Sequence, residues 1–152
     1  MSTQIEPIVT AADLEAMPDD GNRYEIIEGE LLFSKASGVP HQRVSGELFY
    51  EFRSYLGEHP TGEVIMIATP GLTLSETDAV IPDLVFILNE RASEVITGDR
   101  LTAAPDIVIE ILSPGADNLR RDRVAKRQMY AKFGVKEIGS LIPRNESSRS
   151  TS

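Results

Sequence analysis

Residues 106–112 read Asp-Ile-Val-Ile-Glu-Ile-Leu, and the Ser-Pro-Gly sequence at 113–115 ends this run. A short, nearly continuous apolar run that is rich in β-branched residues is typical of a central strand buried on both faces. A helical pattern follows from about Asp117 to Phe133, with Gly134 as a natural C-cap. Strand and helix patterns also alternate earlier in the chain, so the sequence predicts an α/β fold.

The patterns around this strand predict the other elements. A short helix follows Thr10, where Thr10 and Asp13 have the spacing of a capping box. Apolar residues at spacings of four, four and three predict an amphipathic helix over residues 41–56. The remaining strands are predicted at residues 23–27, 30–34, 63–69, 72–74 and 80–88. Residues 90–104 are weakly patterned and predict a short helix and a loop. The length of 152 residues predicts one domain.

Two carboxylates interrupt the apolar strand patterns, Asp83 in residues 80–88 and Glu110 in residues 106–112. An ionised carboxylate in such a run is costly to bury unless another group compensates its charge. If the two strands are neighbours, about 4.8 Å apart, these side chains converge. They would then repel each other unless a cation or a shared proton holds them. A divalent metal is the simplest solution, and it points to metal-assisted phosphodiester chemistry.

Asp106 is a third acid of the same region, but its spacing excludes it from that pair. It lies four residues before Glu110, which on one strand separates the two α-carbons by about 13 Å. Two such residues cannot both bind one ion at about 2.1 Å. We interpret Asp106 as a turn residue or the first residue of the strand.

The metal would have oxygen ligands. The chain has no cysteine, and its two histidines, His41 and His59, are too few for a histidine-rich site. Oxygen ligands suit Mg²⁺ or Mn²⁺. The alternative is that the acids form a structural salt bridge with Lys126 or a nearby arginine and bind no metal.

Lys126 lies on the predicted C-terminal helix, at helical spacing from Asp122, Tyr130 and Phe133. The two aromatic residues belong on the core side, so Lys126 is expected near the buried edge. It is either a lysine that extends its amino group to water or, beside two buried carboxylates, an electrophilic or water-orienting cation.

The charge distribution is uneven. The formal net charge of −9 argues against nucleic-acid binding, yet residues 120–132 carry +5 and the rest of the chain −14. The basic segment is either a solvated helix face or a surface for a phosphate backbone. Its candidate contacts are Arg120, Arg121, Arg123 and Arg127. No apolar run reaches the roughly 18 residues of a membrane span, and the N-terminus has no basic-plus-apolar leader, so we expect a cytoplasmic protein.

Five stretches, in order, resemble the Uma-type restriction endonuclease family of the PD-(D/E)XK nuclease superfamily. They are residues 23–31, the helix start at 41–43, residues 81–86, residues 108–114 and residues 126–137. The resemblance implies a restriction-endonuclease-like core, with a mixed central β-sheet flanked by α-helices. It also implies a carboxylate-held Mg²⁺ or Mn²⁺ and hydrolysis of nucleic acid, with DNA as the expected substrate. Cleavage of both strands of a duplex would commonly use a homodimer.

The resemblance also implies catalytic residues. Asp83 resembles the Asp of the superfamily motif, and Glu110 resembles its (D/E). The motif lysine should follow the second acid by two residues, where this chain has Leu112. Lys126 on the next helix is the implied replacement.

Three further positions are implied as ligands or contacts. Glu25 resembles an additional N-terminal acid of the family and would join Asp83, Glu110 and the backbone carbonyl of Ile111 around the metal. The alternative for Glu25 is a solvent-facing strand residue. His41, at a helix start, would contact phosphate; the alternative is a surface histidine.

The C-terminus departs from the family pattern, which would continue with an aromatic-rich strand and more β-structure. Residues 138–152 are instead polar and low in complexity. The sequence therefore predicts a restriction-endonuclease-like domain over residues 1–137, incomplete at its C-terminus, and a disordered tail over 138–152. This departure leaves a second function class open, a catalytically inactive nucleic-acid-binding or assembly module or a remnant of a nuclease.

Overall fold

The computed structural model describes residues 7–68, 71–112 and 119–143, apart from the side chains of residues 119–121. The helices in these ranges are α1 (Ala11–Glu15), α2 (Val39–Glu58), α3 (Ala92–Val95) and α4 (Leu119–Lys132), and a 3-10 turn spans Asn89–Arg91. The strands are β1 (Arg23–Ile27), β2 (Glu30–Ser34), β3 (Gly62–Met66), β4 (Leu72–Ser75), β5 (Asp78–Val80), β6 (Leu84–Leu88), β7 (Ile96–Thr97), β8 (Arg100–Leu101), β9 (Ile107–Ile111) and β10 (Glu137–Leu141).

The strands form two mixed sheets, with strand orders β2-β1-β5-β4-β8-β7 and β10-β9-β6-β3. In the four-stranded sheet, β9 pairs parallel with β10 and antiparallel with β6. This confirms the predicted mixed α/β architecture, and it confirms that the apolar run around Glu110 is an internal strand. The β-structure is nevertheless divided between two sheets, whereas the sequence predicted one central sheet.

Pro82 explains why one predicted strand became two. Residues 80–88 were predicted as a single strand, but β5 ends at Val80 in the first sheet and β6 begins at Leu84 in the second. Proline has no backbone N–H to donate to a strand ladder, so pairing is interrupted there. The segment Ile81–Asp83 crosses between the sheets, and Asp83 therefore lies just before β6 rather than inside it.

Local chemistry accounts for the hairpin and the first helix. Glu28 and Gly29 join β1 to β2 with φ values of 50° and 78°, as a two-residue type I′ turn requires. Thr10 and Asp13 form the predicted capping box of α1, each side chain accepting from the other residue's backbone N–H.

Helix α2 begins at Val39, two residues earlier than predicted, because Pro40 is tolerated in a first helical turn. Its buried residues are His41, Ser45 and Leu56. Tyr55 was predicted on the apolar face, but it is exposed and stacks on His59. The helix is thus rotated so that His41 points inward. Within the described residues, no helix has the length and apolar content needed to cross a membrane.

Helix α4 contributes Met129 and Tyr130 to the hydrophobic core and ends at Lys132, one residue before the predicted Phe133. Gly134, the predicted C-cap residue, follows with a φ of +90°. The chain then enters β10, which pairs with β9 over five residues from Glu137 to Leu141. The domain boundary expected at residue 137 therefore falls inside a strand. The strand was not predicted because Gly139 and Ser140 are weak strand formers that depend on pairing with β9. Residues 144–152 of the expected tail lie outside the described residues.

Candidate active site

The pairing of β6 with β9 brings Asp83 and Glu110 together. Leu84 is opposite Ile109 in the register, so Asp83, one residue earlier, comes opposite Glu110. The N–H of Asp83 donates to the carbonyl of Ile109 at 3.1 Å. Oδ2 of Asp83 accepts from the N–H of Ile111 at 2.6 Å. Both carboxylates are buried, and the prediction that their strands are neighbours is confirmed.

Glu25 on β1 is the third acid of the cluster and is only 1% exposed. Its Oε2 accepts from the N–H of Ile81 at 2.7 Å, and its Oε1 faces α4. The alternative that Glu25 is a solvent-facing strand residue is therefore wrong. Alternation along β1 places Glu25 on the face that packs against α4, while Tyr24 lies on the other face beside Phe33.

Lys126 extends from α4 into this group of acids. Its Nζ lies 3.0 Å from Oε1 of Glu25 and 3.6 Å from Oε1 of Glu110. One turn along the same helix face, the hydroxyl of fully buried Tyr130 donates to the same Glu110 oxygen at 2.7 Å. The helix-face prediction for Lys126 holds, and its amino group is turned inward instead of extending to water.

The mutual burial of these groups shifts their proton affinities. Burial raises the pKa of Glu110, the charges of Glu25 and Asp83 add to this, and Lys126 and the Tyr130 hydroxyl only partly offset it. Burial disfavours the charged form of Lys126, but Glu110 and Glu25 outweigh burial and raise its pKa. Burial and the same two acids raise the pKa of Tyr130 well above its ordinary value. Lys126 therefore stays charged, and Tyr130 stays a hydrogen-bond donor.

Arg23 belongs to the cluster although the sequence did not single it out. Its Nη1 lies 3.6 Å from Oδ1 of Asp83, and its Nη2 donates to the carbonyl of Ile81. Burial opposes its charge, but Glu25, Asp83 and Glu110 outweigh burial and raise its pKa. The available signal was strand alternation: Arg23 lies two residues before Glu25, on the same face of β1.

His41 is buried at 6% exposure, so the alternative of a surface histidine is wrong. Its Nε2 lies 2.9 Å from Oδ1 of Asp83. That contact is too poorly aligned for a hydrogen bond. Among the described residues, neither ring nitrogen of His41 nor the Nε of Arg23 has a hydrogen-bond partner.

Asp106 lies outside the cluster, as its spacing predicted. It is the residue before β9, and its carboxylate accepts from the N–H of Leu88 at 2.9 Å and contacts Nη1 of Arg91 at 3.1 Å. Lys136 lies 3.4 Å from it. These partners tie together the end of β6 and the starts of β9 and β10.

The basic residues of α4 are only partly described. Arg127 is exposed and Arg123 is half-buried, whereas the side chains of Arg120 and Arg121 lie outside the described residues. Among the described side chains, the exposed basic residue Arg127 is therefore separate from the buried cluster around Lys126.

The donor set suits a hard divalent cation. Three carboxylates, from Glu25, Asp83 and Glu110, face the two cations Arg23 and Lys126. One negative charge is therefore uncompensated when all three acids are ionised. Within the described ranges, no three His, Asp or Glu side chains are already gathered around one point as a metal cage. Ile111, whose carbonyl is the other candidate ligand, is buried at the end of β9.

Comparison with known proteins agrees with this architecture. A solved structure from Anabaena variabilis ATCC 29413, described as "a putative nuclease belonging to DUF820", matches with a TM-score of 0.68. It is 19% identical, and the match covers 88% of this chain and 74% of that chain, which shows a shared fold. No curated protein is significantly similar in sequence. A family model matches residues 11–148, and the chain therefore belongs to the Uma2 family, whose description reads "Putative restriction endonuclease".

Proposed function

We propose that this chain is a divalent-metal-dependent nuclease that hydrolyses phosphodiester bonds in nucleic acid, with DNA as the expected substrate. The observation that supports it most is the placement of Lys126, whose Nζ is 3.0 Å from Glu25 and 3.6 Å from Glu110, in a cluster that also contains Asp83. Buried acids next to a partly buried lysine are costly to maintain for stability alone, and such groups concentrate at functional sites. Membership of the Uma2 family supports the same reaction class.

Asp83 and Glu110 would hold Mg²⁺ or Mn²⁺, with Glu25 and the backbone carbonyl of Ile111 completing the ligand set. The bound ion would supply Lewis-acid polarisation of the scissile phosphate and a lowered pKa for an attacking water. The protein's own part is to keep these oxygens close together in a site where burial weakens competition from bulk water.

Lys126 would act as the electrophilic residue. Its side chain is 17% exposed, and its amino group stays charged because Glu110 and Glu25 raise its pKa. As the water oxygen bonds to phosphorus and the bond to the leaving sugar oxygen breaks, negative charge accumulates on the phosphate oxygens. A fixed ammonium group stabilises that charge without reorganisation. The attacking water gives up a proton and the leaving oxygen takes one up, which completes the hydrolysis.

Glu110→Gln tests the catalytic proposal. The variant keeps the shape of the side chain and its contact with Tyr130, so it should fold, but it should lose divalent-dependent cleavage of plasmid or oligonucleotide DNA. Glu137→Gln, at an exposed position on the neighbouring strand β10, is the matched control and should cleave like the wild type. Cleavage by Glu110→Gln at the wild-type rate would overturn the assignment.

Metal binding can be tested without activity. Mn²⁺ at ten times its dissociation constant should add about 1.4 kcal/mol to the free energy of unfolding, which raises Tm by several degrees. We expect this rise in the wild type and not in Asp83→Asn. Asp99→Asn, which changes an exposed aspartate, should retain it. A wild-type Tm that does not respond to Mn²⁺ would favour the salt-bridge interpretation of the cluster.

The second candidate is an inactive nucleic-acid-binding or assembly module. The direct ion pairs of Lys126 with Glu25 and Glu110 are also compatible with it, because they compensate part of the acid charge without a metal. A module of this kind should bind duplex DNA even in an Asp83→Asn, Glu110→Gln double variant. Duplex binding should weaken as the salt concentration rises. It should depend on Arg123 and Arg127. It should also depend on Arg120, Arg121 and His41 if these residues contact phosphate. Sedimentation with and without duplex would show whether a homodimer forms.

A further inference from the structure

Two basic side chains from different elements converge on one oxygen of Asp83. Nη1 of Arg23, on β1, lies 3.6 Å from Oδ1, and Nε2 of His41, on α2, lies 2.9 Å from it. Asp83 itself lies just before β6. The oxygen is therefore the point where the six-stranded sheet, helix α2 and the four-stranded sheet meet.

Arg23 also holds the chain that carries Asp83, because its Nη2 donates to the carbonyl of Ile81. The second oxygen of Asp83 is occupied by the N–H of Ile111 at 2.6 Å. Both oxygens and the preceding backbone are thus held by protein groups. An ion that binds Asp83 through Oδ1 would share that oxygen with His41, at 2.9 Å, and with the charge of Arg23, at 3.6 Å.

The arrangement is maintained at a cost. Among the described residues, the buried Nε of Arg23 and Nδ1 of His41 lack hydrogen-bond partners, and Nε2 of His41 has only its 2.9 Å approach to Oδ1 of Asp83. A buried polar group without a partner costs about 1–3 kcal/mol, so such groups are rare in native proteins. Here all of them belong to the two side chains that contact Asp83, which indicates that these side chains are kept for the carboxylate cluster and not for general stability.

We propose that Arg23 and His41 are positioning residues for Asp83: they hold its carboxylate at the acid cluster, and a divalent cation competes with Arg23 for Oδ1. The positioning rests on the contacts alone. The competition rests on the proposed metal-dependent function, and the two parts are tested separately.

The positioning is tested in metal-free buffer by a double-mutant cycle of Arg23→Gln and Asp83→Asn, read as Tm. If Arg23 acts on Asp83, the double variant should lose less Tm than the two single losses added together. Arg53→Gln, which changes an exposed arginine of α2, should combine additively with Asp83→Asn. A His41→Asn, Asp83→Asn cycle should also be non-additive. Additive losses in both the Arg23 and the His41 cycle would overturn the proposal. If Arg23→Gln does not fold, Arg23→Lys replaces it in the same cycle.

The competition is tested with Mn²⁺ by titration calorimetry and by melting. Removing the guanidinium removes both a competitor and a positive charge, so Arg23→Gln should bind Mn²⁺ several-fold more tightly than the wild type and gain more Tm from it. Arg23→Lys should return affinity toward the wild type. If Arg23 has only a structural role, Arg23→Gln should lower Tm by the same amount with and without Mn²⁺. That result would overturn the proposed competition between Arg23 and the cation.

The experiments distinguish failure of the proposed metal-dependent function from failure of the positioning role of Arg23 and His41. If the wild type binds no Mn²⁺, the metal-dependent function and the competition both fall, and the metal-free cycle still decides whether Arg23 and His41 position Asp83. If the wild type binds Mn²⁺ and the cycles are additive, the metal site stands and the positioning role is wrong.

Discussion

At the residue scale, the hydroxyl of Tyr130 is a single hydrogen-bond donor whose removal should destabilise the acid cluster. Its hydroxyl donates to Oε1 of Glu110 at 2.7 Å, and the side chain is fully buried. Tyr130→Phe preserves the packing but removes a hydrogen bond to a carboxylate that cannot reach water. We expect it to lower the free energy of unfolding by about 1.5–3 kcal/mol, measured by urea denaturation. Tyr50→Phe, at an exposed tyrosine of α2, should change it by less than about 0.5 kcal/mol. Equal effects would contradict the assigned bond.

Asp106 predicts a pH dependence of stability. Burial raises its pKa, but the Leu88 N–H, Arg91 and Lys136 outweigh burial and hold the pKa below the ordinary value of 3.8. As pH falls below 3.8, the unfolded chain takes up this proton before the folded chain does. The contribution of Asp106 is therefore present above that pH and is lost as pH falls through the lower, folded pKa.

This pH dependence can be tested by comparing Asp106→Asn with the wild type by urea denaturation at several pH values. At pH 7 it should cost about 1–3 kcal/mol, because it weakens bonds to the Leu88 N–H and to Arg91. The difference should shrink as the pH is lowered from about 4 toward the folded pKa. A difference that stays constant down to the acid-unfolding range would contradict the lowered pKa. Asp99→Asn is the exposed control.

At the scale of elements, alanine substitution is expected to have opposite effects on stability at Gly62 and at Gly46. A Cβ at Gly62, the first residue of β3, would come 2.3 Å from the carbonyl oxygen of Ile87 and within 2.8 Å of the Phe86 ring, so strand β3 would have to shift against β6. Gly62→Ala should destabilise the protein by about 1–3 kcal/mol. Gly46 lies in helix α2 with nothing within 4 Å of its added Cβ.

Gly46→Ala should therefore stabilise the protein by about 0.5–1 kcal/mol, because alanine favours the helix and restricts the unfolded chain. Both variants would be compared by urea denaturation, with the slope of the transition checked for constancy. A stabilising Gly62→Ala would mean that the close approach of β3 to β6 is wrong.

At the scale of the whole molecule, β10 pairs with the edge of β9 that β6 leaves free. It pairs with β9 over five residues, and the N–H of Leu112 donates to the carbonyl of Leu141. A chain that ends at residue 136 would leave β9, which carries Glu110, paired only with β6 and with its other edge exposed. It should melt roughly 10 °C or more below a chain that ends at residue 143. Equal melting temperatures would show that β10 contributes little to stability and would support the boundary expected at residue 137.

Local sequence determined much of the four-stranded sheet and of α4. The apolar run around Glu110 predicts an internal strand, because no polar face is available to meet water. Helical spacing places Lys126 and Tyr130 on one inward face, since residues four apart lie one turn apart. Spacing along one strand separates Asp106 from the acid pair. Each conclusion depends only on periodicity or reach, which the chain carries within a few residues.

Tertiary structure decided what depends on distant segments. The burial of Glu25 and the inward rotation of His41 follow from packing of β1 and α2 against elements far along the chain, where local polarity is a poor guide. The inclusion of Arg23 follows from the crossing at Pro82, which brings Asp83 to β1. Strand β10 is weak by composition and forms because β9 supplies its partners. The sequence by itself thus determined which acids and which lysine could meet, and the fold decided which cations hold them, because an ion pair is set by the arrangement of whole elements.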